Sequence, residues 1–368
     1  MKILFIANLA KEHINKFHLP LIQKLMSDGN IVDIMCTNAN EVPMGNKKWN
    51  VKIARSPFKI TNIKSYFEAK KIIDNEEYNI IYCNTFMGGI IGRLAAIKSR
   101  RKGTKVVYNS HGLHFYKGAN LFKWMLLPIE MFFAKFTDAF ITINEEDYLL
   151  VKNKFKYKGN LYKVNGVGVD FKKFAPVTPD FKKEKKISLG FKESDIVITY
   201  VAEITKNKNQ IVIIKAIKEL TSFKLNIKLL LVGPIYQAKN IYKEIKKHSL
   251  NDQVFLTGWC DNVQEILSIT DLYVASSIRE GLGINVIEAM SMGIPVIVSD
   301  NRGHREIIKD GDNGLMFQPH DYIQLSKKIM IYLENKKITF NDEDAISGIN
   351  KFEEGIIVQK MYNIILNI

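Results

Sequence analysis

Cysteine is scarce in this chain. There are three, Cys36, Cys83 and Cys260, odd in number and far apart, with no C-x-x-C pair. That excludes a disulfide framework and a zinc ribbon and suits a reducing cytoplasm. Proline is also scarce, at nine residues, and with 46% hydrophobic against 25% charged residues the composition excludes a disordered or low-complexity protein. Long apolar runs are missing. The most lipid-like stretch, Leu121 to Phe136, is broken by Lys123, Pro128, Glu130 and Lys135, short of the roughly 20 apolar residues a membrane span needs. The N-terminal apolar run is too brief for a signal sequence and reads as a first buried strand. No G-x-G-x-x-G follows that strand, since Gly88, Gly89 and Gly92 have the wrong spacing, and G-x-x-x-x-G-K-[ST] occurs nowhere. A dinucleotide fingerprint and a P-loop are therefore not the basis of its activity.

Positive charge, by contrast, is abundant. Lys and Arg number 53 against 38 Asp and Glu, a formal net charge of +15, which attracts phosphorylated substrates, acidic lipid or nucleic acid. At 368 residues the chain fits two domains of roughly 150 to 200 residues each. Short β-branched runs alternate with helical segments, the pattern of parallel sheets built from βαβ units. The first half predicts strands at Ile3–Ala7, Ile31–Cys36, Ile80–Cys83, Lys105–Asn109 and Ala139–Ile143, with a helix from Phe17 to Ser27. Beyond Gly168 comes a polar stretch with Pro176, Pro179 and Lys182-Lys183-Glu184-Lys185-Lys186, read as an interdomain linker. Strands then resume at Ile196–Val201, Ile227–Val232, Gln253–Thr257, Leu272–Ala275, Pro295–Ser299 and Leu315–Phe317. The class is α/β, with two doubly wound, Rossmann-like lobes. Ligands of such sheets bind at the carboxyl ends of strands, so two facing sheets would hold one in the cleft between them.

The richest chemistry lies between Asp271 and Asp300, a complete strand, loop, helix, strand unit. Gly281 and Gly283 let the backbone approach a ligand closely, and the helix opening near Ile284 turns free N–H groups toward an anion such as a diphosphate. Glu280 precedes that helix and Glu288 lies about two turns inside it, so two carboxylates can accept hydrogen bonds from sugar or ribose hydroxyls. Random glutamates are ordinarily solvated surface acids; here the Gly-x-Gly between them and the apolar flanks point to a site.

Glu280 through Val296 resembles the E-G-x-G-x-x-x-x-E-A-M-x-x-G-x-P-V hallmark of the retaining glycosyltransferase family four, the glycosyl transferases group 1. The resemblance implies the glycosyltransferase B fold, with an acceptor-binding domain over 1–168 and a nucleotide-sugar-binding domain over 169–349. A C-terminal helix at about 350–368 is expected to pack back on the first. It implies that Glu280 holds hydroxyls of the donor sugar and Glu288 the nucleotide ribose, with Leu282 and Ile284 in the donor loop. Phe255 to Val263 resembles the segment whose backbone meets the base, near Cys260. His111, after a predicted strand, takes the family's active-site histidine role; alone, it would be an ordinary structural histidine. His13, His18, Tyr116 and Lys117 fall in stretches similar to capsular and exopolysaccharide members and are assigned to the acceptor, although Asn84 stands where histidine is expected.

One departure concerns the diphosphate. Where the family commonly shows G-R-x-x-x-x-K-G, Lys208 matches the lysine but Glu203 replaces the arginine, so Lys206 or the helix N-terminus must supply the remaining positive charge. No covalent nucleophile is nominated. Asp310-Gly311-Asp312 and Asp342-Glu343-Asp344 have the D-x-D form of metal sites, but the first reads as a backbone turn and both as incidental. Neither metal nor cofactor is expected. The chain thus reads as a cytoplasmic enzyme, peripheral to the inner membrane face. It would move a sugar from a UDP-linked donor to a lipid-linked or growing glycan, with no nucleic acid partner. Rival readings are an epimerase or hydrolase on the same fold, and a basic membrane-binding protein without catalysis. The latter draws on Phe115, Tyr116, Lys117, Phe122, Lys123 and Trp124.

Overall fold

Runs of Val, Ile and Leu, buried on both faces, form two parallel sheets, as such runs must when helices cover both sides. In the computed structural model, which describes residues 1–116, 119, 121–335 and 348–368, the first sheet has seven strands. They are β1 (Lys2–Leu9), β2 (Ile31–Thr37), β3 (Lys48–Asn50), β4 (Ile80–Asn84), β5 (Lys105–Ser110), β6 (Ala139–Thr142) and β7 (Asn160–Lys163), in the order β3-β2-β1-β4-β5-β6-β7. β1 is central, with Ile3 opposite Val32 on one side and Ile80 on the other. Alternation then sorts its side chains. Ile3 and Phe5 pack with Leu21, Ile22 and Leu25 of helix Leu19–Ser27 and with Ile357, Met361 and Ile365 of helix Glu354–Leu366. Leu4 and Ile6 pack with Ile73 of helix Thr61–Glu76 and Ile91 of helix Phe86–Ala95.

The second sheet comprises β8 (Ile196–Val201), β9 (Ile227–Val232), β10 (Val254–Gly258), β11 (Leu272–Ala275), β12 (Val296–Ser299) and β13 (Leu315–Phe317). Its order is β10-β9-β8-β11-β12-β13. The chain divides into two units, Met1–Gly168 with Glu354–Ile368, and Val169–Glu353. In each, strand order reverses beside the first strand, between β1 and β4 and between β8 and β11. These reversals are where open α/β sheets part their loops and admit ligands.

Three features differ from the sequence reading. The stretch read as a linker contains helix Pro179–Ser188, capped by Thr178, whose Oγ1 accepts from Phe181 N–H. Its ordered face is cationic: Lys182 and Lys186 pair with Asp271 at 2.8 and 2.7 Å, and Lys185 with Glu265 at 2.9 Å. Lysines at i, i+3 and i+4 hold a helical face as apolar residues would, burying their stems, and a search for apolar periodicity passes over them. The short strands β3 and β7 carry no sequence signal of their own, being only partly buried and lacking an apolar run. Finally, a π-helical turn, Ala10–Asn15, separates β1 from helix Leu19–Ser27, which begins two residues later than expected, with Pro20 in its first turn. Gly88, Gly89 and Gly92 serve close packing: a Cβ on Gly92 would overlap Cys83 Sγ and one on Gly89 the Tyr108 ring.

Candidate active site

In the second unit, the loops leaving β8 and β11 meet at the strand-order reversal. Lys208 lies between β8 and helix Gln210–Leu220, and Glu280 between β11 and helix Ile284–Ser291. Lys208 Nζ donates to Glu280 Oε1 at 2.5 Å, and Ser277 Oγ donates to the same oxygen at 2.6 Å. Tyr200 Oη lies 2.6 Å from Ser277 Oγ. The loops are laced by backbone contacts as well: Ser276 Oγ donates to Lys208 O at 2.8 Å, Ile278 N–H to Asn207 O at 2.8 Å and Asn207 Nδ2 to Arg279 O at 3.0 Å. Burial alone would raise the Glu280 carboxyl; the Lys208 ammonium, then His304 and the Ser277 hydroxyl, outweigh it and hold the group below the usual glutamate range. The site therefore presents a fixed carboxylate beside a fixed ammonium, suited to a ligand with both hydroxyls and phosphate.

The loop after β12 buttresses this pair. A Cβ on Gly303 would stand 2.7 Å from Glu280 Cβ, and one on Gly283 2.9 Å from His304 Cδ2. The lack of a side chain at Gly283 thus lets the loop approach His304 closely. His304 is buried, its Nδ1 2.7 Å from Ser299 O, and burial, with Lys208 nearby, lowers its pKa despite the opposing pull of Glu280. Gly283 caps helix Ile284–Ser291, Gly281 opens the loop, Leu282 is buried, and Glu288 lies half-buried within the helix. Asn285 Nδ2 donates to Val201 O at 2.9 Å and pins the helix start to the end of β8. Cys260 follows β10, two strands from β8, and its side chain packs on the Val232 and Ile269 cluster. Glu203 and Lys206 are exposed; Lys208, not Lys206, reaches Glu280.

In the first unit, the strand-order reversal gathers histidines. Leu9 N–H donates to His13 Nδ1 at 3.2 Å. His18 immediately precedes helix Leu19–Ser27, His111 immediately follows β5, and their Nε2 atoms are 3.3 Å apart. Phe17 stacks on His111 at 5.4 Å. Burial keeps His18 well below its ordinary pKa and, with His13 nearby, pulls His111 down to about 4; His13 is lowered by burial and Arg55. Across the reversal, Thr85 holds a φ of +64°, rare for an L-residue, and its hydroxyl bonds Asn8 Oδ1. Asn84 and Asn109, opposite each other on β4 and β5, are both buried with Oδ1 unpaired. Tyr116 is half-buried and takes a bond from Lys123 Nζ at 3.4 Å, while Lys117 lies outside the described residues, as do Asp342, Glu343 and Asp344. Asp310 accepts from Met316 N–H at 2.7 Å within its turn, and among the described residues no three His, Cys, Asp or Glu side chains form a metal site.

Residues 2–144 match the family described as glycosyl transferase 4-like, and residues 181–346 match the glycosyl transferases group 1. A Bacillus subtilis protein named as glycosyltransferase EpsD is 36% identical over 365 residues, 99% of this chain and 96% of its own. The chain belongs to the group 1 glycosyltransferases. An Escherichia coli relative, a UDP-Gal:α-D-GlcNAc-diphosphoundecaprenol α-1,3-galactosyltransferase, is 27% identical over 304 residues, 79% of this chain and 76% of its own. The crystal structure of Anabaena HepE with UDP and glucose superposes with a TM-score of 0.81 at 19% identity over all of both chains, which agrees with the glycosyltransferase B fold.

In this glycosyltransferase, Ser277, Tyr200 and His304 join the site without having been nominated from sequence. Ser277 could have been found by its position at the exit of β11, three residues before Glu280; His304 lies in Asn301 to Glu306, which resembles the family's loop after the next strand, while Tyr200 reads as an ordinary strand residue. The electrostatics make one prediction. Because the folded Glu280 binds its proton less readily than an unfolded glutamate, its stabilising contribution is complete above the unfolded value, about 4.3, and is lost as pH falls through the lower folded value. The urea-denaturation midpoint of wild type relative to Glu280→Gln is expected to narrow between pH 7 and acid; a difference constant with pH would contradict the carboxylate pairing.

Proposed function

We propose that this glycosyltransferase moves a sugar from a UDP-linked donor to a lipid-linked or growing glycan, with retention at the anomeric carbon and without a metal ion or other cofactor. It would act in surface-polysaccharide synthesis at the cytoplasmic face of the membrane. The observation that carries this reading is the Lys208–Glu280 pair at the strand-order reversal of the second unit. Departure of the nucleoside diphosphate builds negative charge on its phosphate, which Lys208 and the N-terminal N–H groups of helix Ile284–Ser291 offset. Glu280 accepts hydroxyls of the sugar, Glu288 those of the ribose, the Gly281 to Ile284 loop flanks the phosphate, and the backbone at Cys260 meets the base. His111 serves at the reacting face of the sugar, and His13, Tyr116 and Lys117 serve the acceptor. The names of the E. coli relative and of the HepE complex support a UDP-linked donor and, for the relative, a diphospholipid-linked acceptor.

The membrane part rests on a separate surface. Leu121 (82% exposed), Phe122, Met125, Ile129 and Phe132 lie on the outer side of the helical stretch 121–134, while Glu130 turns inward. From Phe122 they recur at three- and four-residue steps along two short helices, Leu121–Trp124 and Leu127–Ala134, with Met125 in the turn between them, forming one apolar stripe bordered by Lys123 and Lys135. Phe115 belongs instead to the core, with Trp124 against it at 6.0 Å, so the aromatic surface is smaller than the sequence suggested. Phe122→Ser/Met125→Ser is expected to weaken vesicle binding roughly tenfold or more through lost apolar burial. Flotation with anionic vesicles measures this, and turnover of a short soluble acceptor should be unchanged.

The deciding experiment incubates the protein with UDP- and GDP-sugars, with and without lipid-linked acceptor and EDTA, and reads nucleoside diphosphate release and the anomeric configuration of the product. EDTA-resistant, acceptor-dependent release from one UDP-sugar with retained configuration supports the reading. Release without acceptor favours a hydrolase or epimerase, and inversion removes the retaining assignment.

A further inference from the structure

Two neutral imidazoles whose Nε2 atoms are 3.3 Å apart attract only if one of those nitrogens carries a proton and the other a lone pair; equal tautomers would set two protons or two lone pairs against each other. The surroundings fix one of the two rings. His18 is 2% exposed, lies edge-on to Tyr82 at 5.9 Å and packs beside Phe5 at 6.1 Å. Tyr82 Oη is itself held by Asn109 Nδ2 at 3.0 Å. His111 is less buried, leaves β5 at the end where ligands of such sheets bind, and is backed by the stacked Phe17 ring. With its Nε2 engaged, its Nδ1 is the ring nitrogen left for a ligand.

We propose that His18 is a positioning residue, which through one shared Nε2 proton fixes the ring orientation of His111 and couples its tautomer, opposite to that of His18, as it faces the donor sugar. The assignment rests on the active-site role given to His111 above, and it takes His18 out of the set offered to the acceptor. His18 touches no reacting atom; it decides whether His111 Nδ1 meets the sugar in one protonation state or a mixture. Burial keeps both neutral, helped by His111 and His13 beside His18 and by His13 beside His111, so the pairing persists across the physiological range.

The test uses the full-length protein labelled with 15N-histidine, its seven histidines assigned through single variants, together with donor kinetics. The ring-nitrogen spectrum is expected to show opposite tautomers for His18 and His111. His18→Phe, which keeps an aromatic ring in the pocket, is expected to lower kcat roughly ten- to hundredfold, as loss of an orienting partner does, with donor KM within about twofold and His111 converted to mixed tautomers. His18→Gln, whose amide can donate or accept at the Nε2 position, is expected to recover most of the turnover. Identical tautomers in the wild-type spectrum would overturn the proposal, whether or not His18→Phe folds. So would a His18→Phe enzyme with wild-type kcat while His111→Ala is inactive. Wild-type turnover in His111→Ala would instead overturn the role of His111, and this inference with it.

Discussion

Replacing Lys208 with methionine is expected to lower turnover by roughly 10²–10³-fold, the range observed when one preorganised donor to a developing negative charge is removed. The stem of methionine fills much of the same space, so packing changes little while the ammonium disappears. Two losses coincide. On the proposed function the departing diphosphate loses a fixed cation, and Glu280 loses the 2.5 Å partner that holds it ionised in a mostly buried position. Ser277 still donates to the carboxylate at 2.6 Å, so the loop is expected to remain in place. Nucleoside diphosphate release at saturating donor, with the thermal midpoint as a folding control, measures the effect. A decrease of less than about tenfold in a well-folded variant would remove Lys208 from the phosphate site. Arginine at this position is not a neutral control, because its planar fork directs donors differently from an ammonium.

Arg93→Met is expected to cost about 3–5 kcal/mol of stability, the range for breaking a buried ion pair from one side. Arg93 and Glu130 are among the most enclosed charged side chains described, 0% and 1% exposed, with Nη1 to Oε2 at 3.0 Å and Nη2 to Oε1 at 3.2 Å. Arg93 Nε also donates to Gly89 O at 2.9 Å, and the guanidinium lies 4.0 Å from the Tyr108 ring centre. Methionine would leave the Glu130 carboxylate buried without its counter-ion. The double variant Arg93→Met/Glu130→Leu is expected to recover much of the loss, since two apolar side chains carry no uncompensated charge. Urea denaturation of wild type, both single variants and the double variant checks this through the coupling energy. The pair joins helix Phe86–Ala95 to helix Leu127–Ala134, so loss of order at the apolar stripe is expected to accompany unfolding. Hydrogen exchange over residues 121–134 would report it.

The α/β class, most of the strands and the segment that holds the candidate donor site are legible in the sequence. Buried parallel strands are rich in β-branched and apolar residues, which marks Ile196–Val201 and Ile227–Val232 to the residue despite Thr199 in the first and Lys228 in the second. Glu280, Gly281, Gly283 and Glu288 are legible because they share one loop and helix and their spacing is local. Helix Pro179–Ser188 was not legible, because its ordering comes from Asp271 and Glu265, about 80 residues away, and lysine periodicity has no meaning until those carboxylates are in place. Other relations existed only after folding. The Lys208–Glu280 pair spans 72 residues, the His18–His111 contact 93 and the Arg93–Glu130 pair 37. Nothing local marks such partners: a lysine, a histidine or a glutamate looks the same in sequence whether it is solvated or paired. Strand order decides it, by making β8 and β11 neighbours and by setting β1 and β5 on the two sides of β4, so that side chains remote in sequence meet at their ends.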